Sequence, residues 1–279
     1  MAFRIPGPLY FHVHGPQGLP MLFLHSTPDD HRLWMYQTAR FSSWFRTIAV
    51  DLAGYGRSGP AQKGFSVSDL ADAVWEVVDQ VSSASVIIHG NSMGSMVAMQ
   101  MAHKLPKRVP ALILSGTGYL PTRDAMKVWA RRYAEEGLDL RYKQCLDHFS
   151  PASQQLPHVQ YYTHMVCELN NPSTVASIIA MNEALARDPE PDGFFDELTV
   201  PTIIISGAAD RNHPAARDLH LRIKDSIFRE VPNAGHAVMQ EAPSLYDDYC
   251  IEFLAKLGLW PGEQVQTKHT LKASDELRR

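Results

Sequence analysis

Cysteine is scarce. The 279-residue chain has three, Cys145, Cys167 and Cys250. They are odd in number and far apart, which excludes a disulfide framework and points to a reducing, cytoplasmic setting. No run approaches the roughly 18 apolar residues of a membrane span. Neither sign of charge dominates: 26 basic against 30 acidic residues leave a net −4. That balance argues against a nucleic-acid surface and against an electrostatic membrane anchor. The opening MAFRIPGPLYFHVHG places Pro and Gly where a secretory leader needs an apolar run. There is no H-E-x-x-H and no C-x-x-C, and no G-x-G-x-x-G joins a strand directly to a helix. So neither a metal nor a dinucleotide cofactor is implied. Repeats and low-complexity tracts are missing. What is present is 45% apolar and 20% charged, the balance of a chain that buries a real core. Its length suits one large domain, or one carrying an inserted subdomain.

Strand-like and helix-like runs alternate. Leu9 to His14 reads as a strand, and Met21-Leu22-Phe23-Leu24 and Thr47-Ile48-Ala49-Val50 read as strands buried on both faces. Over 66–82 the period changes: Val67, Leu70, Val74, Val77 and Val81 form one stripe, with Asp69, Asp72 and Asp79 off it. Further strands are expected at Ser85 to Ile88, Ala111 to Leu114, Thr202 to Ile205 and Ile227 to Val231, with helices at Met93 to Leu105, 214–224 and 241–257. This alternation predicts a mostly parallel sheet covered on both faces. Residues 119–197 break the rhythm and lack any strand-like run. Pro121, Pro151 and Pro172 suit helix starts, with Ser150 and Asn171 as N-caps before two of them, and Gly137 suits a stop. The expected division is a core of 1–118 and 198–261, a helical cap of 119–197 and a polar tail of 262–279.

One motif carries chemistry by itself. Gly90-Asn91-Ser92-Met93-Gly94 lies between a strand and a helix, the context a G-x-S-x-G elbow requires. Ser92 must occupy a strained turn that lifts its hydroxyl clear of the sheet, and side chains two before and two after it would collide there. The Met93 amide then points from a helix N-terminus at any oxyanion formed on an acyl adduct. Of 13 histidines, His236 follows the last expected strand and suits the base. Asp210, past the strand Ile203-Ile204-Ile205, suits the acid that orients it, with Asp124 as competitor. After the first buried strand, His25-Ser26-Thr27-Pro28 can aim a second amide at the oxyanion, Ser26 before Thr27, while His25 packs beneath and bonds backbone.

These pieces, with Asp51-Leu52-Ala53-Gly54-Tyr55-Gly56-Arg57-Ser58, resemble the α/β-hydrolase fold through most of residues 9–257. The resemblance implies an α/β architecture: a mostly parallel, eight-stranded sheet with helices on both faces and a helical cap insertion. In that family the Asp51–Ser58 loop is structural. The oxyanion loop usually reads His-Gly; here Ser26 replaces the Gly, as in enol-lactonase-like members. The nucleophile is Ser rather than the Asp of haloalkane dehalogenases and epoxide hydrolases of this fold, which removes both activities. The implied function is cleavage of a small to medium, largely apolar carboxylic ester or lactone by a Ser92–His236–Asp210 triad without cofactor or metal. The same frame also serves carbon–carbon hydrolases of vinylogous diketones, cofactor-independent dioxygenases and ligand receptors. Asp29-Asp30-His31-Arg32-Leu33-Trp34 is similar to the dioxygenases' oxyanion-loop region.

For substrate contacts the expected lining is Trp34, Trp129, Tyr133, Tyr161, Met165 and Met239, making an apolar cavity roofed by the cap. The cations Arg123, Lys127, Arg131, Arg132, Arg141 and Lys143 read as a solvated helix face, and His148 and His164 as structural. The expected partner is a small molecule, not nucleic acid or membrane, and a homodimer is open to such a chain.

Overall fold

In the computed structural model, residues 8–15, 18–117, 121–168, 173–187 and 193–262 are described. Strands β1 (Phe11–His14), β2 (Pro20–Leu24), β3 (Arg46–Val50), β4 (Ile87–Asn91), β5 (Leu112–Ser115), β6 (Thr202–Gly207) and β7 (Ile227–Val231) form one sheet. Its order is β1-β3-β2-β4-β5-β6-β7. Only the edge strand β1 runs antiparallel, against β3. The described residues thus make seven strands where eight were expected.

Each central strand splits its side chains between two cores, as the two-residue period of a pleat demands. Leu22, Leu24, Ile88, Leu112, Leu114 and Ile204 enter one cluster. Met21, Phe23, Ile87, Ile113, Ile203 and Ile205 enter the other. Each such fully buried aliphatic side chain contributes about 1.5–3 kcal/mol relative to leaving it in water. Helices α2 (Val67–Val81), α3 (Met93–Lys104) and α8 (His213–Arg222) cover the first face, while α1 (Met35–Phe41) and α10 (Pro243–Lys256) cover the second. The stripe on α2 behaves as its spacing predicts. Its start is a capping box: Ser66 Oγ accepts from the Asp69 amide at 3.0 Å and Asp69 Oδ2 accepts from the Ser66 amide at 2.9 Å.

Between β5 and β6 the chain makes only helices among the described residues: α4 (Pro121–Glu136), α5 (Asp139–Leu146), α6 (Pro157–Cys167) and α7 (Val175–Arg187). Pro121 opens α4, and Gly137 follows its end at φ 70°. Pro151 does not open a helix. Residues 151–155 are turns, and α6 begins at Pro157 instead. The Asn171–Pro172 start and nearly all of the tail lie outside the described residues. A four-residue helix α9 (Val238–Glu241) precedes α10.

Parallel pairing levels the strand ends. Leu24 stands beside Gly90, Asn91 beside Ser115 and Gly207 beside Val231. The loops leaving β2, β4, β5, β6 and β7 therefore emerge along one edge, where open α/β sheets place their sites.

The second core hides one misfit. Asp247 on α10 is buried, with Gln37 Nε2 donating to its Oδ1 at 3.0 Å and Arg40 Nε 3.6 Å from Oδ2. Burial still pushes its carboxyl up from an ordinary 3.8 to about 6. The folded state therefore holds the proton more tightly than the unfolded chain, and stability falls as pH rises from about 4 to about 6. Asp247→Asn should raise the melting temperature at pH 8, by a free energy on the order of 2 kcal/mol, and leave it nearly unchanged at pH 4. Thermal denaturation at both pH values tests this; a gain of equal size at pH 4 would contradict it.

Candidate active site

Ser92 leaves β4 at φ 52°, ψ −111° and is the N-cap of α3. A non-glycine residue there is strained, at a cost of order 1–3 kcal/mol, and the surroundings must hold it. They do so through hydrogen bonds. The Ser92 amide donates to Ser115 O at 2.9 Å, and Ser95 Oγ donates to Gly90 O at 2.8 Å and Ser115 O at 3.0 Å. Close approach completes the hold. A Cβ on Gly94 would collide with the carbonyl oxygen of Leu24 and lie 2.8 Å from that of His25. The first turn of α3 thus presses directly on the loop leaving β2, which sets the Met93 amide close to the Ser26 loop.

That loop is fixed from below. His25 is buried and neutral, because burial lowers its pKa. Its Nε2 accepts the Leu52 amide at 2.8 Å, so Nδ1 carries the proton and donates to Ser26 O at 2.8 Å. Ser26 Oγ donates to Asp29 Oδ2 at 2.5 Å. The Asp51–Ser58 loop is structural, as expected. Asp51 accepts the amides of His31 and Arg57, each at 2.8 Å, and Ser58 Oγ donates to Asp51 O at 2.5 Å. Its glycine spacing serves turns, and no helix begins between Asp51 and Ser66.

His236 and Asp210 meet. Asp210, past β6, lies 3.0 and 3.1 Å from His236 Nδ1 by its two oxygens, and its Oδ1 also accepts the Asn212 amide at 2.9 Å. Burial pushes the Asp210 carboxyl up, but His236 and that amide outweigh it and hold the carboxyl below its usual range. Nδ1 therefore donates, and Nε2 of His236 is left as the acceptor. The His236 loop is tied to the elbow by Asn91 Nδ2, which donates to His236 O at 3.2 Å and to Ser115 Oγ at 3.1 Å. Asp124, the competing acid, is exposed on α4 and paired with Lys127.

The helical insertion closes onto the same edge. His148 O accepts the Ala237 amide at 2.9 Å. Glu241 clasps both sides, accepting the Gly235 amide at 2.6 Å and the Ser150 hydroxyl at 2.6 Å. Arg141, expected on a solvated face, is buried and donates through Nε and Nη2 to Pro28 O at 3.1 and 2.9 Å. The largest surprise is Asp29, whose carboxylate is a hub. It takes His148 Nδ1 at 3.1 Å, Tyr162 OH at 3.0 Å and Cys145 Sγ at 3.5 Å, besides Ser26. Burial opposes its ionisation, but these donors hold its carboxyl well below the usual carboxylate range.

Comparison with known proteins gives the family. The model of the alpha/beta hydrolase family matches residues 21–248. The chain belongs to that family. An AB hydrolase superfamily protein of Bacillus subtilis is 27% identical over 255 residues, covering 85% of this chain and 91% of its own. The enol-lactonase of Burkholderia xenovorans superposes with a TM-score of 0.79 at 20% identity, over 88% of this chain and 96% of that one. A thermophilic esterase of Thermogutta terrifontis superposes with a TM-score of 0.78 at 23% identity, over 92% and 99%.

Within the family frame, several expected substrate contacts fall elsewhere. Trp34 is sealed in the second core against Phe23, His89 and Tyr246, where an indole on a short turn before α1 fills the space under the sheet. Tyr161 is 64% exposed and points to solvent, because α6 buries Val159, Tyr162 and Val166 instead. Met239 is buried and offers its carbonyl to Gln37. Met165 is partly buried in the second core and offers its carbonyl to Arg32. Tyr133 is buried with its hydroxyl on Gln144 at 2.6 Å, and Trp129 is buried beneath the guanidinium groups of Arg132 and Arg211. Two clefts, of about 560 and 350 Å³, open at α4–α7 and beside β1, and Ser92 lines neither.

Asp30, His31 and Asp51 bring ligand-type atoms within 4.8 Å of one another. Asp30 is already gripped by the Arg32 guanidinium and Asp51 by His31 Nδ1 at 2.7 Å. Those contacts by themselves account for the close approach of the three side chains. Sequence reasoning missed Gly116, although a glycine one residue past a strand end was a usable signal. At φ 52°, its Cβ would stand 2.6 Å from Asn91 Nδ2 and 2.9 Å from His236 Cε1. Gly116→Ala should therefore displace the His236 ring while costing about 1–3 kcal/mol in stability. The downfield Nδ1–H resonance of His236 in a proton NMR spectrum reads this directly. An unchanged resonance in the folded variant would show that the crowding is relieved elsewhere.

Proposed function

We propose that the protein is a serine hydrolase of carboxylic esters or lactones, with Ser92 as nucleophile, His236 as base and Asp210 as the acid that orients it. One observation carries the reading. The strained, glycine-flanked Ser92 stands at the same sheet edge as a His236 whose Nδ1 lies against both oxygens of a buried Asp210.

In this reading His236 Nε2 takes the proton from Ser92 Oγ as the hydroxyl attacks the carbonyl carbon. The carbonyl oxygen becomes an oxyanion held by the amides of Met93 and Ser26. One such donor is worth about 10²–10³ in turnover. The protonated His236 then gives its proton to the departing alkoxide, leaving an acyl group on Ser92. Water, deprotonated by His236, releases the acid and restores Ser92. Asp210 keeps its charge throughout and stabilises the imidazolium. The lactonase and esterase among the structural neighbours fit this chemistry as neighbours in fold.

Turnover of para-nitrophenyl acetate and of a small lactone tests the assignment. Ser92→Ala should keep the fold and lose at least about 10³-fold in kcat, and Asp210→Asn should lose about 10⁴-fold. Asp124→Asn should be near neutral. A fluorophosphonate label should map to Ser92 alone. Residual Ser92→Ala activity within tenfold of wild type would remove Ser92 as the nucleophile.

A further inference from the structure

Beside the His236–Asp210 pair stands a second one that this mechanism does not use. His148 Nδ1 is 3.1 Å from Asp29 Oδ2, and both residues are buried. The His148 and His236 rings lie 4.8 Å apart between centroids, inclined at 50°. The proton on His148 can be assigned. Asp29 already accepts from Ser26, Tyr162 and Cys145, so it faces His148 as an ionised acceptor. Nδ1 must then donate, and with burial holding the ring neutral, Nε2 carries a bare lone pair on the opposite edge. Nε2 has no partner among the described residues, yet it is not one of the sealed, partnerless polar atoms, as His89 Nε2 is. It opens onto space that a solvent-sized group can reach.

The placement narrows what that group is. Asp29 hydrogen-bonds Ser26 of the oxyanion loop, and His148 O holds the Ala237 amide next to His236. His148 is thus fixed on two sides to the parts that would surround a scissile carbonyl. A lone pair there repels a carbonyl or carboxylate oxygen and takes only a donor. We infer that His148 Nε2 accepts a hydrogen bond from an O–H group of the substrate, so that the protein selects esters or lactones bearing a hydroxyl or enol close to the scissile carbonyl. The inference rests on the Ser92 reading and makes His148 a specificity residue, with Asp29 positioning it.

The test compares kcat/KM for the para-nitrophenyl esters of butyrate, α-hydroxybutyrate and β-hydroxybutyrate. Wild type should favour at least one hydroxy ester by about tenfold or more. His148→Asn keeps an N–H for Asp29 but has nothing in the place of Nε2. It should abolish the preference while changing butyrate turnover less than about threefold. His148→Gln, which can return an acceptor to that place, should restore part of the preference. The inference is overturned if wild type favours neither hydroxy ester, or if His148→Asn lowers all three esters alike. Those results leave the Ser92 reading standing. Butyrate turnover that survives Ser92→Ala would instead remove the reading on which the inference rests.

Discussion

Everything at the sheet edge depends on how closely the first turn of α3 approaches the end of β2. The contact has no side chain in it: Gly94 lies against the carbonyls of Leu24 and His25. A single methyl group there would push α3 outward and carry Met93 away from the Ser26 loop. It would also relax the turn that holds Ser92 at φ 52°. The strain at Ser92 is therefore sustained by the close approach at Gly94 together with the hydrogen bonds of the Ser92 amide and the Ser95 hydroxyl. The same economy appears at Gly116, where backbone alone fits between Asn91 and the His236 ring. Backbone crowding sets the geometry, and hydrogen bonds from Asn91 and Ser95, two of them onto Ser115, then keep it.

The two His–Asp pairs differ in what surrounds their carboxylates. Asp210 has His236 and the Asn212 amide. Asp29 has four side-chain donors, three of them from the helical insertion: His148, Tyr162 and Cys145. A buried carboxylate that lost those three would keep Ser26 as its side-chain donor, and an unpaired buried charge is costly. The docked insertion thus supplies most of what keeps Asp29 ionised. It also places His148 beside His236.

Most of the frame was legible because its signals are local. The buried runs at Met21–Leu24 and Ile203–Ile205 and the stripe on α2 each follow from one period, and the Ser92 elbow follows from steric need at two glycines. His236 and Asp210 were legible from their places after strand ends, since parallel pairing brings such loops together wherever they fall in the chain. Pro151 misled, because a proline in a run of turns carries the same local signal as one that opens a helix, and only packing chose Pro157. Trp34 and Tyr161 misled for a related reason: apolar bulk says nothing about which side of an element faces a cavity. Asp29 was hidden because its meaning lies in partners more than a hundred residues away.

The insertion shares both apolar cores with the sheet, and at the sheet edge polar grips add direction to that packing. Arg141 holds the Pro28 carbonyl, Glu241 clasps Ser150 and Gly235, and His148 holds Ala237 by its backbone and Asp29 by its ring. Each grip ends on a loop that also carries a candidate site residue: the Ser26 loop for Arg141 and His148, and the His236 loop for Glu241. Such bonds are directional and fade over tenths of an ångström. A shift of the insertion large enough to admit a bulky molecule must therefore break bonds that also hold Ser26 and His236 in place.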